Sequence, residues 1–105
     1  MEFIETSIFT RQVLDLLSER EYCNLQVALM INPKKGVVIP GSGGLRKIRW
    51  PLPGRGKSGG ARAIYYLASE DNIILLLFMY AKNEQDDLSS EQLSLLRKIV
   101  EEEYP

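Results

Sequence analysis

Ala61-Arg62-Ala63-Ile64-Tyr65-Tyr66-Leu67-Ala68, then Ser69-Glu70-Asp71-Asn72, then Ile73-Ile74-Leu75-Leu76-Leu77-Phe78-Met79-Tyr80 is the stretch whose reading decides the fold. The outer runs are rich in aliphatic and aromatic side chains, and the short polar segment between them suits a turn. Together they read as two strands of one hairpin. The apolar run Ile73–Ala81 is half the length of the ~18 residues that cross a bilayer, so it predicts a buried strand.

Upstream, Leu45–Trp50 reads as a further strand, joined to Ala61 by the glycine-rich, basic connection Pro51–Gly60. Three strands on local turns predict an antiparallel meander. Pro40-Gly41-Ser42-Gly43-Gly44 is a loop before it. Further back, Phe9, Val13, Leu16 and Leu17 fall on one helical stripe behind a Thr6 or Ser7 cap. A second helix is expected from about Glu19 to Met30, with Tyr22, Leu25 and Leu29 on one side. Asn32-Pro33 ends it, since proline lacks the amide donor and restricts its predecessor. Glu2–Glu5 suits an edge strand. Downstream, Ser89 with Gln92 forms a capping box and Leu88 with Leu93 a hydrophobic staple, opening a helix striped by Leu93, Leu96 and Val100. Its end, Glu101-Glu102-Glu103, places negative charge at the wrong pole of the helix dipole, and fraying is expected there. The order is β-α-α-β-β-β-α, an α+β domain with an N-terminal helical hairpin and a C-terminal helix.

With 105 residues, 45% hydrophobic and 26% charged, the chain fits one ordinary globular domain. Its N-terminus carries acids where a signal peptide needs cations, and its single cysteine, Cys23, has no internal disulfide partner. A cytoplasmic protein without a membrane partner is expected. Cys23 is read as a packing residue. There is no histidine, so zinc sites and Ser–His–acid triads are excluded unless a partner supplies residues. No metal or cofactor is expected, and any catalysis falls to Lys, Arg, Tyr or carboxylates.

The net charge of −1 hides a strong segregation. Between Glu21 and Glu70 there is no acid, while Lys34, Lys35, Arg46, Lys47, Arg49, Arg55, Lys57 and Arg62 all lie in that interval. From Glu70 onward acids dominate. Strand alternation sorts the cations further. Lys47 and Arg49 share one face, opposite Ile48 and Trp50; Arg62, Ile64 and Tyr66 share one face; Tyr80 and Lys82 lie two apart on another. If the strands are neighbours, Lys47, Arg49, Arg62, Lys82 and a tyrosine converge. Phosphate neutralisation and base stacking need such groups.

For any single residue a solvated strand face is the plainer explanation, since most exposed charges do nothing specific. For the set it weakens, because ordinary surfaces interleave acids with cations. Arg46, Arg55, Lys57, Tyr66, Tyr80 and Asn83 are further candidates for RNA contact. Tyr65 is expected in the core. Gly56-Lys57-Ser58 is superficially like a phosphate loop, but Pro51 stands where the motif needs glycine and a strand follows rather than a helix. A basic hairpin loop is the better reading.

Gly44-Leu45-Arg46-Lys47-Ile48-Arg49, Gly59-Gly60-Ala61-Arg62-Ala63-Ile64-Tyr65-Tyr66 and Tyr80-Ala81-Lys82-Asn83-Glu84, with Asp87-Leu88, resemble the RelE/ParE toxin superfamily, most closely its HigB-like branch of RelE-type toxins. The resemblance spans nearly the whole chain. It implies a twisted, mainly antiparallel sheet and a toxin of a type II toxin–antitoxin system that enters the ribosomal A site and cleaves mRNA, without a metal. It also implies a cognate antitoxin, of helix-turn-helix type for this branch. By position, Lys47, Arg49 and Arg62 match the basic strand residues used on the scissile phosphate, and Lys82 matches a basic position closing the last strand. Two features depart from RelE proper: Asn83 stands where a catalytic arginine follows the lysine, and Asp86–Ser90 lacks an aromatic.

For cleavage by the RNA's own 2′-OH, Arg49 and Arg62 are expected to neutralise phosphate charge. Lys47 or Lys82 is the candidate base, since crowding by cations favours the free amine. The alternatives are a non-catalytic RNA- or ribosome-binding module and a ParE-like gyrase poison. The basic strand cluster argues against the last.

Overall fold

The structure, a computed structural model, describes residues 1–54 and 58–104. Among these, β1 (Glu2–Glu5) leads into α1 (Ser7–Leu16) and α2 (Glu19–Ile31). Then come β2 (Val37–Val38), β3 (Arg46–Trp50), β4 (Ala61–Ala68), a single 3-10 turn (Ser69–Asp71), β5 (Ile73–Ala81) and α3 (Ser90–Glu103). The five strands form one sheet in the order β1-β5-β4-β3-β2. β1 runs parallel to β5, and every other pairing is antiparallel. This is the expected α+β, mainly antiparallel architecture with one strand more than expected, β2.

Polar side chains fix where the helices begin. Thr6 Oγ1 accepts from Phe9 N at 3.0 Å and donates to Leu77 O at 2.8 Å, so one hydroxyl caps α1 and pins it to β5. Ser18 and Glu21 form a capping box at α2, and Ser89 and Gln92 form another at α3. Glu5 ties β1 to both helices of the hairpin, accepting from Thr10 Oγ1 at 2.6 Å and from the Tyr22 hydroxyl. At the turn before β5, Asn72 adopts the left-handed conformation (φ 56°), which asparagine tolerates better than most residues.

The sheet buries both faces, but unequally. The α1–α2 hairpin covers one face, where Phe9, Val13, Leu25 and Leu29 pack on Ile48, Ala63, Tyr65 and Leu76. On the other face α3 lays Leu96 and Val100 over Leu45, Ile64, Leu75 and Leu77. Tyr65 is fully buried, and its hydroxyl donates to Pro33 O and accepts from Gly36 N, both at 2.8 Å. These bonds anchor the chain between α2 and β2.

Two expectations are corrected. Cys23 is exposed rather than packed, because its neighbours Tyr22, Leu25 and Leu29 define the buried side of α2 and leave it facing outward. At the other end of the chain, α3 stays helical through Glu103. Tyr104 N closes on Val100 O at 2.7 Å, and Arg97 Nε lies 3.5 Å from Glu101, offsetting part of the unfavourable charge. No helix among the described residues is long and apolar enough to cross a membrane.

Candidate nucleic-acid interface

Strand register, rather than sequence proximity, assembles the cations. Arg49 on β3 pairs with Arg62 on β4, and Arg62 pairs with Tyr80 on β5. These three residues form one row across the sheet, on the face that α3 covers farther along. Lys47 lies two residues from Arg49 on the same side, pairing with Ile64. Lys82 follows β5, its amide donating to Gly60 O at 2.9 Å.

Within the row the residues differ in depth. Arg49 is exposed, and among the described residues its side chain has no hydrogen-bond or ion-pair partner. Arg62 is only 9% exposed and Tyr80 only 5%, so they form a floor rather than a surface. Arg62 Nη1 donates to Gly59 O at 2.7 Å and Ala61 O at 3.1 Å, which aims the guanidinium along the strand end and fixes it there. Gly59 and Gly60 have positive φ, +82° and +66°. A Cβ at Gly60 would meet Trp50 O at 2.5 Å, so this close approach of strand ends requires glycine.

The loop after β5 brings acids to the two lysines. Lys82 Nζ donates to Asp86 Oδ1 at 2.6 Å and to Asp86 O at 2.7 Å. Lys47 Nζ donates to Asp87 Oδ1 at 3.3 Å, and the same oxygen accepts from Leu88 N at 2.8 Å and, at 3.5 Å, from the Tyr80 hydroxyl. The Leu88 amide first, then Lys47 and Lys82, hold the Asp87 carboxyl below its ordinary range. Burial first, then the charge on Asp87, pushes the Tyr80 phenol up to about 12. At neutral pH the face therefore presents an ionised Asp87 and a protonated Tyr80. Asp87 enters the sequence reading only within the family resemblance and Asp86 only within a segment lacking an aromatic; neither is given a role at the site there. Their place in an acid-rich C-terminal third gave no sign that they fold back onto the cations.

The other candidates fall elsewhere. Arg46 points to the hairpin side, its Nη1 donating to Gly36 O at 2.8 Å and Lys34 O at 3.3 Å. Tyr66 stacks obliquely on Tyr104 with ring centroids 5.7 Å apart, half-buried against the core cluster beneath α3. Asn83 is exposed in the turn that follows β5. Arg55 and Lys57 lie outside the described residues. Among the described residues no group of His, Cys, Asp and Glu is arranged to hold a metal.

The fold and face define a class: a small α+β protein with a mixed five-stranded sheet and cations gathered at the ends of its central strands. A family model described as the RelE toxin of the RelE / RelB toxin-antitoxin system matches residues 34–104, which include β3, β4, β5 and α3. The chain belongs to the RelE toxin family, and membership implies an antitoxin partner. E. coli toxin RelE, solved in the free state with two arginines replaced by alanine, superposes with a TM-score of 0.62 at 15% identity. The match covers 94% of this chain and 96% of that one. At that identity the likeness is one of fold.

Proposed function

We propose that this toxin is a ribosome-dependent endoribonuclease that cleaves mRNA in the A site, closest in type to the HigB-like toxins. The observation that carries the reading is the row Arg49–Arg62–Tyr80 with Lys47 and Lys82 beside it. The row and its two lysines are five groups that neutralise or hydrogen-bond a phosphate: Lys47, Arg49 and Arg62 come from a sequence interval free of acids, and Tyr80 and Lys82 from beyond it.

In the reaction, the 2′-oxygen attacks the adjacent phosphorus, the P–O2′ bond forms and the P–O5′ bond breaks. The products are a 2′,3′-cyclic phosphate and a 5′-hydroxyl. Arg49 and Arg62 stabilise the charge that builds on the phosphoryl oxygens, with a bidentate geometry that lysine lacks. Tyr80, still protonated, donates to a phosphoryl oxygen. Lys47 and Lys82 exchange protons with the 2′- and 5′-oxygens once the substrate displaces Asp87 and Asp86 from them. Both ion pairs are on the surface and are worth ~1 kcal/mol or less, so a bound phosphate exchanges for them readily. The ribosome holds the RNA in line for attack. The cognate antitoxin, of helix-turn-helix type in this reading, neutralises the toxin in the cytoplasm.

Mapping mRNA 5′ ends after induction tests this. The wild type should produce ribosome-dependent cuts within codons, while Arg62→Ala and Lys82→Ala should not. Wild-type cleavage by both variants would remove the assignment.

A further inference from the structure

Beside the cationic row lies a groove of about 240 Å³, lined by the apolar Val37, Ile39, Pro40, Leu88 and Leu93 together with Lys47 and Asp87. Val37 is the cross-strand partner of Lys47 and is 74% exposed. A large aliphatic side chain so exposed is unremarkable alone. Here it lines a largely apolar slot whose remaining lining includes a cation and an anion.

We propose that this groove is a nucleobase slot. It takes the base adjoining a phosphate held at Lys47, and Asp87 selects there for bases with an exocyclic amino group over uracil. The proposal rests on the RNA-cleavage reading above and adds to it a specificity-determining residue.

Three observations carry it. The first is continuity: Lys47 belongs both to the groove and to the cationic row, so a chain with its phosphate on Lys47 has its next base within reach of Val37 and Leu88. The second is wall chemistry. Apolar walls suit the flat faces of a base, whose edges still need polar partners. The third is the state of Asp87. Its Oδ1 accepts all three of the carboxylate's hydrogen bonds among the described residues, from Lys47, Tyr80 and Leu88, which orients the group and leaves Oδ2 uncommitted.

An ionised carboxylate accepts hydrogen bonds and donates none. Adenine and cytosine offer an amino group, and guanine offers an amino group beside a ring N–H. Uracil offers one N–H flanked by two carbonyl oxygens that repel the carboxylate. When a phosphate takes Lys47, the bonds from Leu88 N and the Tyr80 hydroxyl still hold Asp87 Oδ1, so discrimination does not depend on ordering a loose side chain.

The test is calorimetric binding of 5′-phosphorylated RNA trinucleotides of A, C and U to the free toxin, as wild type, Asp87→Asn and Val37→Ala, together with 5′-end mapping on translating ribosomes. The wild type should bind the A and C trinucleotides at least roughly fivefold more tightly than U, the lower range for a specific base-edge contact. Asp87→Asn should bring that ratio close to one, because an amide also donates to a uracil carbonyl. Val37→Ala should weaken A and C while leaving the preference over U in place. Equal wild-type affinities, no binding of any trinucleotide, or an unchanged ratio in Asp87→Asn overturns the slot. The expected ratios without cleaved mRNA would overturn the nuclease reading and leave the slot standing. Cleavage with no selectivity in either assay does the reverse.

Discussion

Arg49 and Arg62 stand directly opposite each other across β3 and β4, two guanidinium groups in one cross-strand pair. Like charges in that relation oppose sheet formation, by an amount comparable to the ~0.2–1 kcal/mol that favourable pairs contribute. The partner strands could carry almost any other residues here at lower cost. Arg49→Ala is therefore expected to raise stability by up to about 1 kcal/mol in urea denaturation while abolishing cleavage. A loss of stability would show that the pair is not repulsive in the fold.

Arg62 behaves differently because it is buried and bonded. Arg62→Ala removes two hydrogen bonds from a cation to Gly59 O and Ala61 O. A destabilisation of about 2 kcal/mol is expected, within the range for charged hydrogen bonds. Arg62→Lys should recover part of the stability and less of the activity, since it cannot reproduce the planar fork.

Tyr80 supplies a pH signature. Its folded pKa, about 12, lies above the ordinary value of 10.0. The stability it contributes is therefore complete below pH 10 and is lost as pH climbs toward 12. Phenolate absorbance in the wild type minus that in Tyr80→Phe should show a midpoint near 12. Asp87→Asn removes a negative charge and should move that midpoint downward. A midpoint unchanged by Asp87→Asn would dissociate the two groups.

Tyr65→Phe tests the anchor between α2 and β2. The hydroxyl it removes serves Pro33 O and the buried Gly36 N–H. An orphaned donor costs about 1–3 kcal/mol, and a shift of that size in the urea midpoint with an unchanged m-value is expected.

Cys23 should react with a thiol reagent in the native protein at a rate near that of the unfolded chain, because it is exposed on α2. Protection until denaturation would place it back in the core.

The sheet was legible where the pattern was long. Ala61–Ala68 and Ile73–Ala81 are continuous runs bounded by a polar turn, and Thr6, Ser18 and Ser89 mark helix starts by chemistry that acts locally. Val37–Val38 was not legible, since two residues carry no period and the strand exists only because β3 is there to pair with it. Alternation placed Lys47 and Arg49 together, and the same parity put Arg46 on the opposite face. Tyr80 opposite Arg62 depends on the register break at Ile64/Tyr65, where β5 advances by an extra residue. Local sequence does not announce such a bulge. The carboxylates of Asp86 and Asp87 arrive through the path of a loop, which charge counting along the chain cannot follow.

The parallel pairing of β1 with β5 joins Glu2 to Ile73 and Glu5 to Leu76, partners far apart along the chain. During synthesis the first strand therefore emerges long before the strand it pairs with. Until β5 follows, the α1–α2 hairpin also lacks the sheet face that buries Phe9 and Val13. Contacts of such long sequence separation form late and slowly. A nascent copy of this toxin therefore has neither a complete sheet nor a covered helical hairpin until β5 has been made.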